Sequence, residues 1–265
     1  MLSIRQSQLN SLGQAHRSIF EDELVEHFAT TYPRECRQAG GKQQFYKLVS
    51  AGIDRANQRG FDSQSEVSMY ISLQFILGAW FDVDPQLPWV KKTLENPRMP
   101  AAELRLRCVF GETIEYLSDI AGDKSQHIVR ALIRLRDGDL ETVPALDAQW
   151  QANMLALLRK LYPQKFDRQG IEANSLLLDD ALGKCDFFLN LKTAKGKGLV
   201  AILMFMLGSG FENDHLHPWT ARILSDPRFT SEEERIAALH QAAKKHIGES
   251  LTSDFPTEAA STTGG

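Results

Sequence analysis

The residues best suited to hold a metal ion are Glu212, Asp214, His215 and His217. A His-x-His pair beside two carboxylates nominally supplies the three or four convergent ligands that zinc or another transition metal needs. A second acidic run, Asp82-Val83-Asp84, lacks the spaced oxygen ligands and the closing Glu of an EF-hand loop. Asp84, just ahead of Pro85, reads instead as a cap for free amides at a helix start. Gly183-Lys184 and Ala194-Lys195-Gly196-Lys197-Gly198 have the composition of phosphate loops, but the Walker spacing GxxxxGK followed by Ser or Thr is absent, so these lysines read as solvating a loop. No GxSxG, HExxH or paired CxxC occurs. His16, His27, His127, His240 and His246 each fall in a helical pattern with no nucleophile beside them. The reading is of a non-enzymatic protein with no catalytic residue, no cofactor and no metal. A metal-dependent enzyme built on Glu212, Asp214, His215 and His217 is the chemical alternative.

The totals support a globular protein: 265 residues, 43% hydrophobic and 24% charged. A net charge of -4 with a pI near 6.0 lacks the overall basic excess of a general nucleic-acid binder. Cys36, Cys108 and Cys185 are too few and too far apart for a disulfide framework and read as reduced thiols. The longest apolar run, Leu199 to Leu207, is well short of the roughly 20 residues of a membrane span, and Met1 to Ser7 contains no apolar signal core, so a cytoplasmic location is expected.

Positioning these residues falls to helices. Leu9, Leu12, Ile19, Phe20, Leu24, Val25 and Phe28 share one face of a long helix between about Ile4 and Thr31, which Tyr32-Pro33 stops. A second helix, Gln44 to Gln58, buries Phe45, Leu48, Val49, Ile53 and Ala56. Ser63 or Ser65 caps a third, and Pro88 opens a short helix whose Trp89 and Leu94 face the core. Leu104, Val109, Ile114 and Leu117 are the expected buried side of a helix over Ala101 to Ile120, followed by His127 to Arg136 with a basic outer face. Thr230-Ser231-Glu232-Glu233 matches a capping box for a last helix ending near Ile247-Gly248. No segment alternates like a strand, so the fold is all-α with no sheet.

The chain carries one stretch twice. Phe75 to Trp89, continuing to Leu94, Pro97 and Arg98, matches Phe205 to Trp219, continuing to Leu224, Pro227 and Arg228, without a gap. The same shift of 130 pairs Phe20 with Trp150, Phe28 with Leu158 and Tyr32-Pro33 with Tyr162-Pro163. Two similar helical lobes are expected, residues 1–137 and 138–250, with 251–265 as a disordered tail. Shared residues argue for scaffold, and the second copy of the third helix, Leu199 to Leu207, is apolar all round and expected to be central. Function is expected where the copies differ: Trp80, which answers to Gly210, and Asp82 in the first; Lys192, Lys195, Lys197, His215 and His217 in the second.

Tyr32-Pro33-Arg34-Glu35-Cys36, Gly52-Ile53-Asp54-Arg55-Ala56, Ser65-Glu66-Val67 and the run from Leu77-Gly78 to Trp89 give a further indication. Through them the chain resembles an uncharacterised family of bacterial proteins that look like companions of type VI secretion effectors. The resemblance implies a partner, a secreted effector or the spike that carries it, and an adaptor or co-chaperone role with the groove between the lobes taking an effector helix or linker. An immunity protein that neutralises a cognate toxin is the alternative. No nucleic-acid or membrane partner is expected.

Overall fold

The computed structural model describes residues 6–254 and contains only helices and their connections among them. The first half comprises α1 (Gln6–Thr31), α2 (Pro33–Ala39), α3 (Lys42–Gln58), α4 (Gln64–Leu77), α5 (Pro88–Leu94), α6 (Ala102–Ala121) and α7 (Gln126–Asp137). The second comprises α8 (Trp150–Leu161), α9 (Pro163–Lys184), α10 (Ala194–Leu207), α11 (Pro218–Leu224) and α12 (Glu232–Asp254). No described helix is long and apolar enough to cross a membrane.

Local chemistry sets several of these ends. Ser63 caps α4 through a capping box with Glu66, and Pro88 and Pro218 open α5 and α11 at positions whose amide has no helical partner. At α12 the box is one residue later than expected: Ser231 Oγ accepts from Glu234 N at 3.1 Å and the Glu234 carboxylate accepts from Ser231 N at 3.3 Å. Tyr32-Pro33 does end α1, but Pro33 also starts α2, a helix missing from the sequence reading because proline was taken only as a stop.

Three expectations about faces and ends are corrected. On α6 the buried side is Leu106, Val109, Thr113, Tyr116 and Ile120, whereas Leu104 is 48% and Ile114 53% exposed. The true stripe passes through two polar residues, which burial tolerates because, for example, Thr113 Oγ1 donates to Val109 O at 2.7 Å. Ile19 of α1 likewise lies exposed, while Leu24, Val25 and Phe28 are buried. Gly248 does not close α12, which continues to Asp254 and buries Leu251; residues 255–265 lie outside the described residues, as do the side chains of Leu9 and Leu12.

One hydrophobic core runs through both halves. α10, buried from Gly196 to Phe205, is its centre, as the all-round apolar sequence requires. α7 packs on α12 and α6 on α9, and Lys244 Nζ donates to Gly138 O at 3.1 Å, so residue 137 marks a change of repeat within a continuous core.

The shift of 130 recurs in the backbone. It carries α4 onto α10 and α5 onto α11 at both ends, and Gly40 (φ 105°), Gly60 (φ 77°) and Gly78 (φ 96°) onto Gly170 (φ 83°), Asn190 (φ 51°) and Gly208 (φ 103°). Trp89 and Tyr116 stand 6.0 Å apart at 46°, and Trp219 and His246, their counterparts, 5.8 Å apart at 42°.

The repeated stretch is where the halves meet. Gly78 and Gly208 face each other so closely that a Cβ on Gly78 would lie 2.6 Å from Leu207 O. Beside them the halves exchange hydrogen bonds. Asp84 Oδ2 accepts from Ser209 N at 2.7 Å, and Asp214 Oδ2 accepts from Ala79 N at 3.2 Å. Each carboxylate also holds its own loop, Asp84 Oδ1 accepting from Gln86 N and Asp214 Oδ1 from Leu216 N, both at 2.8 Å. Asp84 therefore caps amides as expected, but those of its loop and of the opposite half, ahead of α5.

Candidate functional site

Beside this seam a groove of about 940 Å³ opens to solvent. The first half contributes Trp80, Val83 and Pro85, and the second contributes the outer side of α9, the turn after it and α11. Phe187 and Phe188 dominate its rim, at 83% and 82% exposed. They lie on a single π-helical turn, Cys185–Leu189, that ends α9. Widening the helix by one residue per turn puts two successive side chains outside, and such turns are frequent at functional sites. The turn is held from below: Cys185 is buried, Asn190 in the left-handed region closes it, and Asp186 pairs with Lys197 at 3.0 Å and Lys192 at 3.4 Å. Lys197's hydrogen bond, more than any other influence, keeps the Asp186 carboxyl below its ordinary range.

On the opposite rim Trp80 is 43% exposed and has a left-handed backbone, φ 66°. The Arg55 guanidinium lies 4.7 Å from its ring centre and the Lys184 ammonium 6.0 Å. Gly210 is its counterpart for a steric reason: a Cβ there would come within 2.8 Å of the Trp80 ring. Lys184 bridges the floor, reaching the Ser209 carbonyl and pairing with Glu212 at 2.7 Å. Asp180 lines the same groove without an ion-pair partner among the described residues, and burial pushes its carboxyl up against the pull of Lys184. The result is a shallow, mostly apolar channel with two carboxylates, Glu212 paired to Lys184 and Asp180 in no ion pair among the described residues.

No family model, curated protein or solved structure matches the chain.

Of the residues expected to carry function because the copies differ there, Trp80 alone lines the groove, which also takes in Glu212 and Gly183-Lys184 from the metal-like and phosphate-loop-like runs. Asp82 is fully buried between Arg55 and Arg59, each 2.7 Å away, and acts on Trp80 only by fixing Arg55 beneath it. Lys192 and Lys197 pin the π turn through Asp186, and Lys195 pairs with Glu141. His215 is half-buried, and burial keeps its imidazole below the ordinary range. His217 faces inward, its ring 5.1 Å from His246 at 84°, and burial lowers it to about 4. The metal-like run diverges: Glu212 turns to Lys184, Asp214 to the seam and His217 to His246. Among the described residues no group of three or more His, Cys, Asp or Glu could hold an ion.

Phe187 and Phe188 were missed, although the comparison of copies points to them. They stand where the first half has Asn57 and Gln58, polar residues at the end of α3.

Proposed function

We propose that this chain is a non-enzymatic binding protein, an adaptor or co-chaperone for a type VI secretion effector or its spike, and that it holds an amphipathic helix of that partner in the Trp80–Phe187–Phe188 groove. The observation that carries the reading is the pair Phe187 and Phe188, both more than four-fifths exposed beside a half-exposed tryptophan. Leaving two phenylalanines in water forgoes roughly 1.5–3 kcal/mol each relative to burial, and clustered apolar exposure of this kind marks a contact surface. Asp180, the channel's carboxylate outside the Lys184–Glu212 pair, favours a partner helix with a basic residue on its apolar face. The partner's type VI character rests on the sequence resemblance.

The test is a pull-down with separately expressed effector domains and spike, using the wild type and a Phe187→Ser/Phe188→Ser variant. The expected result is retention of a helical segment outside the toxic domain and its loss in the variant, whose melting temperature is unchanged. Retention that ignores the double substitution would refute the groove. Binding confined to the toxic domain, with protection from its toxicity, would replace the adaptor with the immunity protein.

A further inference from the structure

The meeting of the two glycine turns leaves a second feature, a half-enclosed cavity of about 210 Å³ between the halves. Taking roughly 30 Å³ per molecule of liquid water, it has room for about seven waters or one small organic molecule. Its lining includes Asp84, Asp214 and Lys165 together with the apolar Ile120, Ile128, Leu132 and Met206. Two atoms of its lining residues, Gln169 Oε1 and His217 Nδ1, are buried without a hydrogen-bond partner. Gln169 is otherwise fixed, its Nε2 donating to Tyr116 Oη at 3.2 Å and Gln86 Oε1 at 3.3 Å. The Lys165 ammonium donates to the Phe205 carbonyl and uses one of its three N–H groups there. These groups are not part of the shared scaffold: in the first half Glu35 and Ala39 stand at the positions of Lys165 and Gln169.

Charge selects the occupant. A simple carboxylate would meet Asp84 and Asp214 in the same small space, and a simple amine would meet the Lys165 ammonium. A molecule bearing both charges satisfies both signs and leaves an apolar remainder for the apolar lining. We propose that the cavity binds a free α-amino acid with an apolar side chain, its carboxylate on Lys165, its ammonium toward Gln169 Oε1 and the seam carboxylates, and its side chain along Ile128 and Met206. Burial lowers Lys165 to about 8, against the pull of Asp84, and an incoming carboxylate would raise it again.

Met206 provides a reporter inside the cavity. The experiment is methyl NMR of the full chain, titrated with L-leucine, 4-methylpentanoate or isoamylamine. Saturable displacement of the Met206 resonance by L-leucine is expected, with each single-charge analogue about tenfold weaker or worse, and with the response lost in Lys165→Met. No displacement by any of the three up to about 10 mM would overturn the proposal and leave a water-filled cavity. Equal response to 4-methylpentanoate would overturn the zwitterion, and an unchanged response in Lys165→Met would overturn the assigned carboxylate partner. Should Lys165→Met not fold, Gln169→Leu takes its place, with weakened binding of L-leucine expected and unchanged binding refuting the ammonium contact. The Phe187→Ser/Phe188→Ser variant responds as wild type, so this outcome is separate from that of the groove.

Discussion

Asp84→Ala is expected to cost about 3–5 kcal/mol, and the structure supplies the terms. The carboxylate is buried and accepts from two amides, Gln86 N at 2.8 Å and Ser209 N at 2.7 Å, as well as from Gln86 Nε2 at 3.1 Å. A buried amide left without an acceptor costs about 1–3 kcal/mol, so two give about 2–6. Removing the carboxylate also ends its own desolvation, the cause of its raised pKa, which offsets part of this loss. Against that offset, Lys165 loses the opposite charge facing it. Urea unfolding near neutral pH, followed by the helical circular-dichroism signal, measures the difference at constant slope. A loss below about 1 kcal/mol would refute the reasoning, because the Ser209 amide would then have found water and the seam would be open. The exchange also predicts coupling. Asp84→Ala and Asp214→Ala act on one joint, so their combined loss should fall short of the sum by more than about 0.5 kcal/mol. Strict additivity would mean that each half closes its own turn independently.

Leu106→Ala should cost about 2–5 kcal/mol and Leu104→Ala no more than about 0.5, a contrast in chemical unfolding that checks the corrected face of α6. Gly78→Ala combines a positive φ of 96° with a Cβ only 2.6 Å from Leu207 O and should lose about 3 kcal/mol or more, whereas Gly248→Ala, inside a helix with open space around it, should be neutral or gain up to about 1 kcal/mol, both read from melting temperatures. Burial lowers His217 and His246 to about 4 each, below the unfolded value, so the unfolded chain binds more protons between about pH 6.5 and 4 and stability should fall as pH drops through that window. Asp84 and Asp214, raised by burial, contribute in the opposite sense, so the histidine term is isolated by His217→Leu/His246→Tyr, which installs the first-half residues Leu87 and Tyr116. The urea midpoint of this variant should fall less on acidification; an unchanged pH profile would refute the assignment.

Helices whose apolar residues form an unbroken stripe were legible in the sequence. Phe45, Leu48, Val49, Ile53 and Ala56 of α3 are all buried as expected, and α10 is central because no side of it is polar. The reading failed where polar residues share the buried side, as Thr113 and Tyr116 do on α6, since periodicity counts only apolar positions. It also failed where glycine or proline was treated as punctuation without regard to place, as at Gly248 and Pro33. For the candidate site, Trp80 stands out in the sequence because its counterpart is glycine, a difference in size visible without coordinates. The charged candidates lie outside the groove for one physical reason. Sequence shows charge but not its partner, and Asp82, Lys192, Lys195 and Lys197 are all engaged in ion pairs.

The reciprocal hydrogen bonds of Asp84 and Asp214 are those that two identical subunits would make across a two-fold axis. In a symmetric dimer every surface feature occurs twice. Here one polypeptide supplies both sides, so a change on one side need not be matched on the other. Phe187-Phe188 and Trp80 line one groove, and their counterparts in the other half are Asn57-Gln58 and Gly210. The chain accordingly has one sticky edge and one smooth edge. A partner held there should bind in a ratio of one per chain, and a second partner has no equivalent place to dock.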